Sequence, residues 1–130
     1  MPRYLGSCHC GAVEFTVDAE PAELTICDCS LCRRKNALML AVPLANLQVV
    51  KGEDKLSLYQ WNTGAARHHF CSVCGIYTFH RKRSDPNSYG VNVNCLEGFD
   101  ASVMPIRQAD GVTMTVEDRG ARAAWPGPRT

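Results

Sequence analysis

Residues 6–17, GSCHCGAVEFTV, combine a cysteine turn with the start of a sheet. In the second half Val13, Phe15 and Val17 are apolar, whereas Ala12, Glu14 and Thr16 between them are small or polar. Successive strand side chains point to opposite faces, so this period of two predicts a half-buried strand over Ala12–Val17. In the first half Cys8, Cys10 and Gly11 form a Cys-x-Cys-Gly turn. The chain outward from this stretch repeats both features.

Further strands are predicted at Leu38–Val42, Leu47–Val50, Leu56–Trp61, Ile76–Phe79, Tyr89–Cys95 and Val112–Val116. In the Tyr89–Cys95 run Val91, Val93 and Cys95 share one face, with Asn92 and Asn94 on the other. Turn residues separate the runs at Lys51–Asp54, Asn62–Gly64, Ser84–Asn87 and Ala109–Gly111. Helix is expected only around Ser30–Asn36 and Leu44–Leu47. The regular spacing of short strands predicts an all-β fold, a small sandwich or folded sheet. Residues 1–130 are expected to form a single domain, with 119–130 a loose or docked tail that Trp125 alone can anchor.

Composition narrows the function. The chain has 130 residues, with 14 basic and 13 acidic side chains giving a formal charge of +1. That balance excludes a strongly basic nucleic-acid binder and an acidic disordered segment. The first residues contain no apolar stretch of the signal-peptide kind, and no window approaches the length of a membrane span. A cytoplasmic, reducing setting is therefore expected, where thiols persist. Eight cysteines in 130 residues is about 6% of the chain, an excess that points to metal rather than disulfides.

The cysteines fall into three groups and a single residue. Cys8-x-Cys10-Gly11 and Cys71-x-x-Cys74-Gly75 are alike, each pairing two thiols on a tight turn with a following glycine that can take positive φ. Two such half-sites supply the four thiolates of a closed, structural zinc site. Cys27, Cys29 and Cys32 form a different cluster, with Arg33, Arg34 and Lys35 directly after it. Three thiolates hold one zinc and leave a fourth position for water or a substrate. Such a site carries net negative charge, which suits holding an incoming thiol better than activating water.

Two alternatives stay open for this cluster: a second structural site closed by a fourth ligand, or a zinc-releasing redox sensor. Cys95 is the candidate fourth ligand and fits a buried core thiol equally well. His9 should project away from the first site, and His68, His69 and His80 are expected to be solvated or hydrogen-bonded. Arg33, Arg34 and Lys35 can lower thiolate pKa values and receive the carboxylates of an anionic substrate. Arg81-Lys82-Arg83 is expected to be a solvated face.

GSCHCGAVEFTV, CDCSLCRRKNA, HHFCSVCGIYTF and YGVNVNCLEG together resemble the glutathione-dependent formaldehyde-activating enzyme family, which includes centromere protein V. The resemblance covers roughly residues 4–100 and includes the order and spacing of all three clusters. It implies a beta-tent of folded antiparallel sheets with zinc knuckles, little helix and two zinc ions per chain. By position, Cys8, Cys10, Cys71 and Cys74 correspond to structural zinc ligands, and Cys27, Cys29 and Cys32 to ligands of a catalytic zinc. Cys95 is not among the seven. The implied activity is that of a carbon–sulfur lyase acting on the adduct of glutathione, or a similar small thiol, with formaldehyde or another small aldehyde. The alternative is a non-catalytic zinc scaffold of the centromere protein V type, for which the near-neutral charge makes nucleic acid a poor partner.

Overall fold

The computed structural model describes residues 1–60, 64–83 and 85–109. Strand accounts for 46% and helix, mostly 3-10 turns, for 16% of the described residues, so the all-β class holds. The strands are β1 (Arg3–Ser7), β2 (Glu14–Asp18), β3 (Leu24–Cys27), β4 (Met39–Pro43), β5 (Leu47–Lys51), β6 (Leu56–Tyr59), β7 (Arg67–Cys71), β8 (Tyr77–Arg81), β9 (Ser88–Asn92) and β10 (Ile106–Ala109). Among the described residues a single short α-helix, α1 (Ser30–Lys35), interrupts them, and Leu44–Asn46 is one of four 3-10 turns. Among the described residues no helix is long and apolar enough to cross a membrane. The predicted strand Val112–Val116, residue Trp61, turn residues Asn62, Thr63, Ser84, Asp110 and Gly111, and the 119–130 tail with Trp125 lie outside the described residues.

Two sheets form. The smaller has the order β1-β2-β5, and the larger β10-β3-β4-β9-β8-β7-β6. Pairing is antiparallel except between β10 and β3, which run parallel with Ile106 opposite Leu24 and Ala109 opposite Cys27. The expected antiparallel sheets thus carry one parallel pair at an edge. β10 reaches the edge at β3 from a remote part of the chain rather than through a hairpin, so no tight turn imposes an antiparallel direction.

Val13, Phe15 and Val17 are fully buried, as the alternation requires. Phe15 on the small sheet meets Phe79 of β8 edge to face, with ring centroids 5.5 Å apart, and so joins the two sheets. Its ring also lies across its register partner on β1, Gly6. A Cβ at Gly6 would come within 2.5 Å of the Phe15 ring, so glycine there is a packing requirement. This explains why β1 was invisible in the sequence: its central position is given up to a neighbour's side chain.

The Tyr89–Cys95 run also needs correction, because β9 ends at Asn92. Asn92 Oδ1 accepts from the Asn94 backbone N–H at 3.2 Å, and Val93–Cys95 turns as 3-10 helix. The side-chain amide offers the backbone an alternative to the ladder and ends the strand. Val91, Val93 and Cys95 remain buried, so the apolar alternation reported burial correctly and conformation only in part.

Phe15→Ala is expected to cost about 3–5 kcal/mol, the usual range for deleting a buried aromatic ring. Urea unfolding measures it, and a loss below about 1 kcal/mol would mean that the sheets are not joined through this ring.

Candidate metal centres

The turn between β1 and β2 carries Cys8 and Cys10; Cys71 closes β7, and Cys74 lies in the turn that leads to β8. Gly11 and Gly75 take φ of +80° and +79°, the left-handed conformation that lets each turn curl back under its sulfurs. Cys8 Sγ accepts from Val13 N–H and Cys71 Sγ from Val73 N–H, both at 3.3 Å. The four sulfurs lie within 4.8 Å of one another. Two of the edges are 3.6 Å (Cys8–Cys10) and 3.7 Å (Cys10–Cys71). Sulfurs placed tetrahedrally at ~2.3 Å from a zinc ion would be roughly 3.8 Å apart, so the array fits such an ion. Its all-sulfur donor set suits a soft metal.

These thiols do not ionise alike. Cys74 falls to about 6, because N–H groups of Cys10 and Ile76 and the thiols of Cys71 and Cys10 outweigh its desolvation. Cys10 rises to about 11, the pull of the Ala12 N–H being overcome by desolvation and the sulfurs of Cys8, Cys71 and Cys74. Four mutual neighbours cannot all be thiolates without a cation between them.

The second cluster forms where β3 ends and α1 begins. Cys27 closes β3, and Cys29 is the N-cap of α1, its Sγ accepting from Cys32 N–H at 3.3 Å. Asn36, at φ +51°, ends the helix after Lys35. Cys27, Cys29 and Cys32 bring their sulfurs within 4.8 Å of one another, so this cluster too can hold a metal ion. Cys29 is the acid of the three, lowered to about 2 by hydrogen bonds from the Cys27 and Cys32 thiols and by the backbone N–H groups of Cys32 and Leu31. Cys32 is pushed far up by donating to Cys27 and Cys29 and by burial.

A cavity of about 190 Å³ adjoins this cluster, lined by Cys27, Cys32, Arg33, Asn36, Leu38 and Gln108 among others. The four-cysteine cluster draws its thiols from the ends of two hairpins; the three-cysteine cluster has a cavity on one side. Arg33 and Arg34 are exposed on α1. Lys35 departs from them. Its Nζ lies 3.1 Å from His68 Nδ1 and 3.6 Å from the centre of the Tyr77 ring.

Sequence reasoning missed the group around Lys35. His68 of β7 and His80 of β8 are register partners whose rings stack 4.9 Å apart. His69 and Phe79, the next pair, face the opposite side of the sheet, where Phe79 meets Phe15. Burial and the Lys35 charge lower His68 to about 3 and His80 to about 2, so both rings are neutral near pH 7. Tyr77 Oη donates to Gly90 O at 3.0 Å, leaving its 2.6 Å contact with His80 to be completed by Nδ1–H of that ring. The available signal was the placement of His68 and His80 on the two arms flanking the Cys71–Cys74 turn. Cys95 joins neither cluster among the described residues; its thiol points at the Tyr77 carbonyl at 3.6 Å, and burial raises it to about 11. His9 is exposed.

The family profile described as glutathione-dependent formaldehyde-activating enzyme matches residues 3–109, which include both clusters. The chain belongs to that family. A Rhodobacter sphaeroides protein of known crystal structure is 46% identical, with a TM-score of 0.74 over 79% of this chain and 99% of that one. A Halomonas elongata protein, named as a candidate glutathione-dependent formaldehyde-activating enzyme, is 39% identical over 79 residues. That match spans 53% of this chain and only 50% of the Halomonas protein. An uncharacterised lyase of Schizosaccharomyces pombe is 28% identical over 109 residues, 79% of each chain.

Substitution is expected to separate the two clusters. Cys71→Ser is expected to lower the melting temperature sharply, because it opens a clip between the sheets whose binding energy is folding energy. Cys29→Ser is expected to leave the unfolding transition in place and to lower the metal content by about one ion per chain. Equal loss of structure in both variants contradicts this division.

Proposed function

We propose that this chain joins a small thiol to a small aldehyde, or cleaves the resulting adduct, at the Cys27–Cys29–Cys32 centre. The substrates in this reading are glutathione, or a thiol of its class, and formaldehyde, in a reducing compartment. The observation that carries it is the three-sulfur cluster with a cavity at its side, lined by Cys27 and Cys32. Family membership and the names of the relatives support the same direction.

In this proposal Cys8, Cys10, Cys71 and Cys74 hold a structural zinc, and Cys27, Cys29 and Cys32 hold a second. A zinc bound by three thiolates supplies a Lewis acid that keeps an incoming thiol deprotonated near neutral pH. The chain's own residues do the remaining work. Cys27, Cys29 and Cys32 fix where the thiol arrives, at the edge of the cavity. Arg33 lines that cavity and, with its exposed neighbour Arg34, offers guanidinium groups to carboxylates of the thiol. Ile26 and Leu38 give the cavity an apolar wall against which a one-carbon aldehyde can rest. In the reaction the sulfur lone pair forms the carbon–sulfur bond while the carbonyl π pair moves to oxygen. The thiol proton is lost to solvent and one proton is taken up at that oxygen, giving the hemithioacetal. Holding both reactants in one small cavity removes the entropy cost of their encounter.

The test is NMR exchange spectroscopy on a glutathione–formaldehyde mixture, with and without protein. The protein is expected to speed exchange between free and adduct glutathione, and Cys29→Ser is expected to restore the spontaneous rate. Exchange at the spontaneous rate with both sites loaded contradicts the proposal for this pair of substrates.

A further inference from the structure

The Cys27–Cys29–Cys32 cluster presents a charge problem that its own residues leave unsolved. Three thiolates around a divalent ion leave a net charge of −1 in a partly buried position, and such a charge is costly unless a cation is fixed nearby. Arg33 and Arg34 are exposed, so their charges are largely screened by water. Lys35 is different in kind. Cys32 and Lys35 stand three residues apart on one face of α1, which Cys29 caps, so the Lys35 side chain lies on the cluster's side of the helix. Burial lowers its ammonium to about 8 and the cluster sulfurs act against that fall, so it stays a cation near pH 7.

The ammonium is also caged. His68 Nδ1, a lone-pair acceptor in the neutral ring, takes one N–H at 3.1 Å, which puts the His68 proton on Nε2. The Tyr77 ring covers another side at 3.6 Å, a cation–π contact. Tyr77 is held in turn. Its hydroxyl is fixed by Gly90 O and His80, and its carbonyl accepts from Asn92 Nδ2 at 2.9 Å and from the Cys95 thiol. His80 stacks on His68 and closes the cage. A Cβ at Gly90 would come within 2.5 Å of the His80 ring, so glycine there makes room for it. None of these side chains is a member of either metal cluster. His68 and His80 stand on the face of β7 and β8 opposite Phe79 and its contact with Phe15.

We propose that Lys35, clamped by His68 and Tyr77, is the fixed counter-cation of the three-cysteine centre and a positioning residue for it. It sets how tightly the three thiolates hold a metal ion and how electron-rich their sulfurs are. This rests on the proposal that the cluster binds metal, though not on the identity of thiol or aldehyde. His68, Tyr77 and His80 act through Lys35, and Cys95, unassigned by its sequence context, serves the cage by binding the Tyr77 carbonyl.

The experiment compares wild type with Lys35→Gln and Lys35→Met in the full chain. Zinc affinity of each site is measured by chelator competition, and the cobalt-substituted protein gives the sulfur-to-cobalt charge-transfer band. Loss of an outer partner of a metal site typically weakens binding by about 10–100-fold. Both variants are expected to show that loss at the three-cysteine site, with the four-cysteine site unchanged as internal control. Removing a nearby cation raises the energy of the sulfur donor orbitals, so the charge-transfer band should move to longer wavelength. A merely structural role for Lys35 would not move it. Lys35→Gln keeps polarity and hydrogen bonding, and it decides the matter should Lys35→Met fail to fold. Unchanged affinity and an unmoved band in folded Lys35→Gln overturn the inference and leave the metal reading intact. Failure of the wild-type cluster to bind a second metal overturns both.

Discussion

Four sulfur atoms from two hairpins of different sheets lie within 4.8 Å of one another, and in our account a metal ion among them sets how the two sheets meet. Cys8 and Cys10 sit at the end of the small sheet, Cys71 and Cys74 at the end of the β7–β8 arm of the large one. Thiolates this close repel unless a cation lies between them. In our account that cation is zinc, and the closed site fixes the angle at which β8 meets β2. Phe15 and Phe79 then fill the space between the sheets, with glycine at position 6 leaving room for the ring. In that account metal ligation and hydrophobic packing act on the same two strands, and neither is independent of the other.

The same constraint positions the second cluster's surroundings. β8 has two working faces: Phe79 turns to the core, while His80, beside its partner His68, turns to α1. Fixing one face against the small sheet therefore presents the other to Lys35. The helix that carries Lys35 starts at Cys29, whose sulfur accepts from the first turn. One six-residue helix is thus capped by a cluster sulfur at its start and carries a caged cation at its end. The contrast between the clusters is physical: one gathers its thiols from the ends of two hairpins, the other is built on a single strand–helix junction with a cavity alongside.

Much of this was legible in the sequence because it is written in local spacing. The alternation at Val13, Phe15 and Val17 gave a strand with the correct buried face, and the Cys-x-Cys-Gly and Cys-x-x-Cys-Gly patterns anticipated the positive φ of Gly11 and Gly75. What escaped depends on partners far apart in the chain. β1 carries Gly6 where apolar residues would announce a strand, because Phe15 occupies that space. β7 reads Arg-His-His-Phe-Cys, which has no apolar period since His68 pairs with a cage and not with the core. β10 pairs in parallel with β3, a choice no local turn encodes. Lys35 looked like its exposed neighbours Arg33 and Arg34; only the register of β7 against β8 reveals that His68, His80 and Tyr77 stand ready to enclose it.

The central claim is that seven of the eight cysteines are divided four and three between two metal ions, leaving Cys95 as the buried thiol. Elemental analysis of the native protein combined with thiol titration tests it in one sample. The account predicts two zinc ions per chain and at most one titratable thiol, Cys95, reacting slowly from its buried position. One zinc per chain with Cys27, Cys29 and Cys32 freely reactive would contradict it.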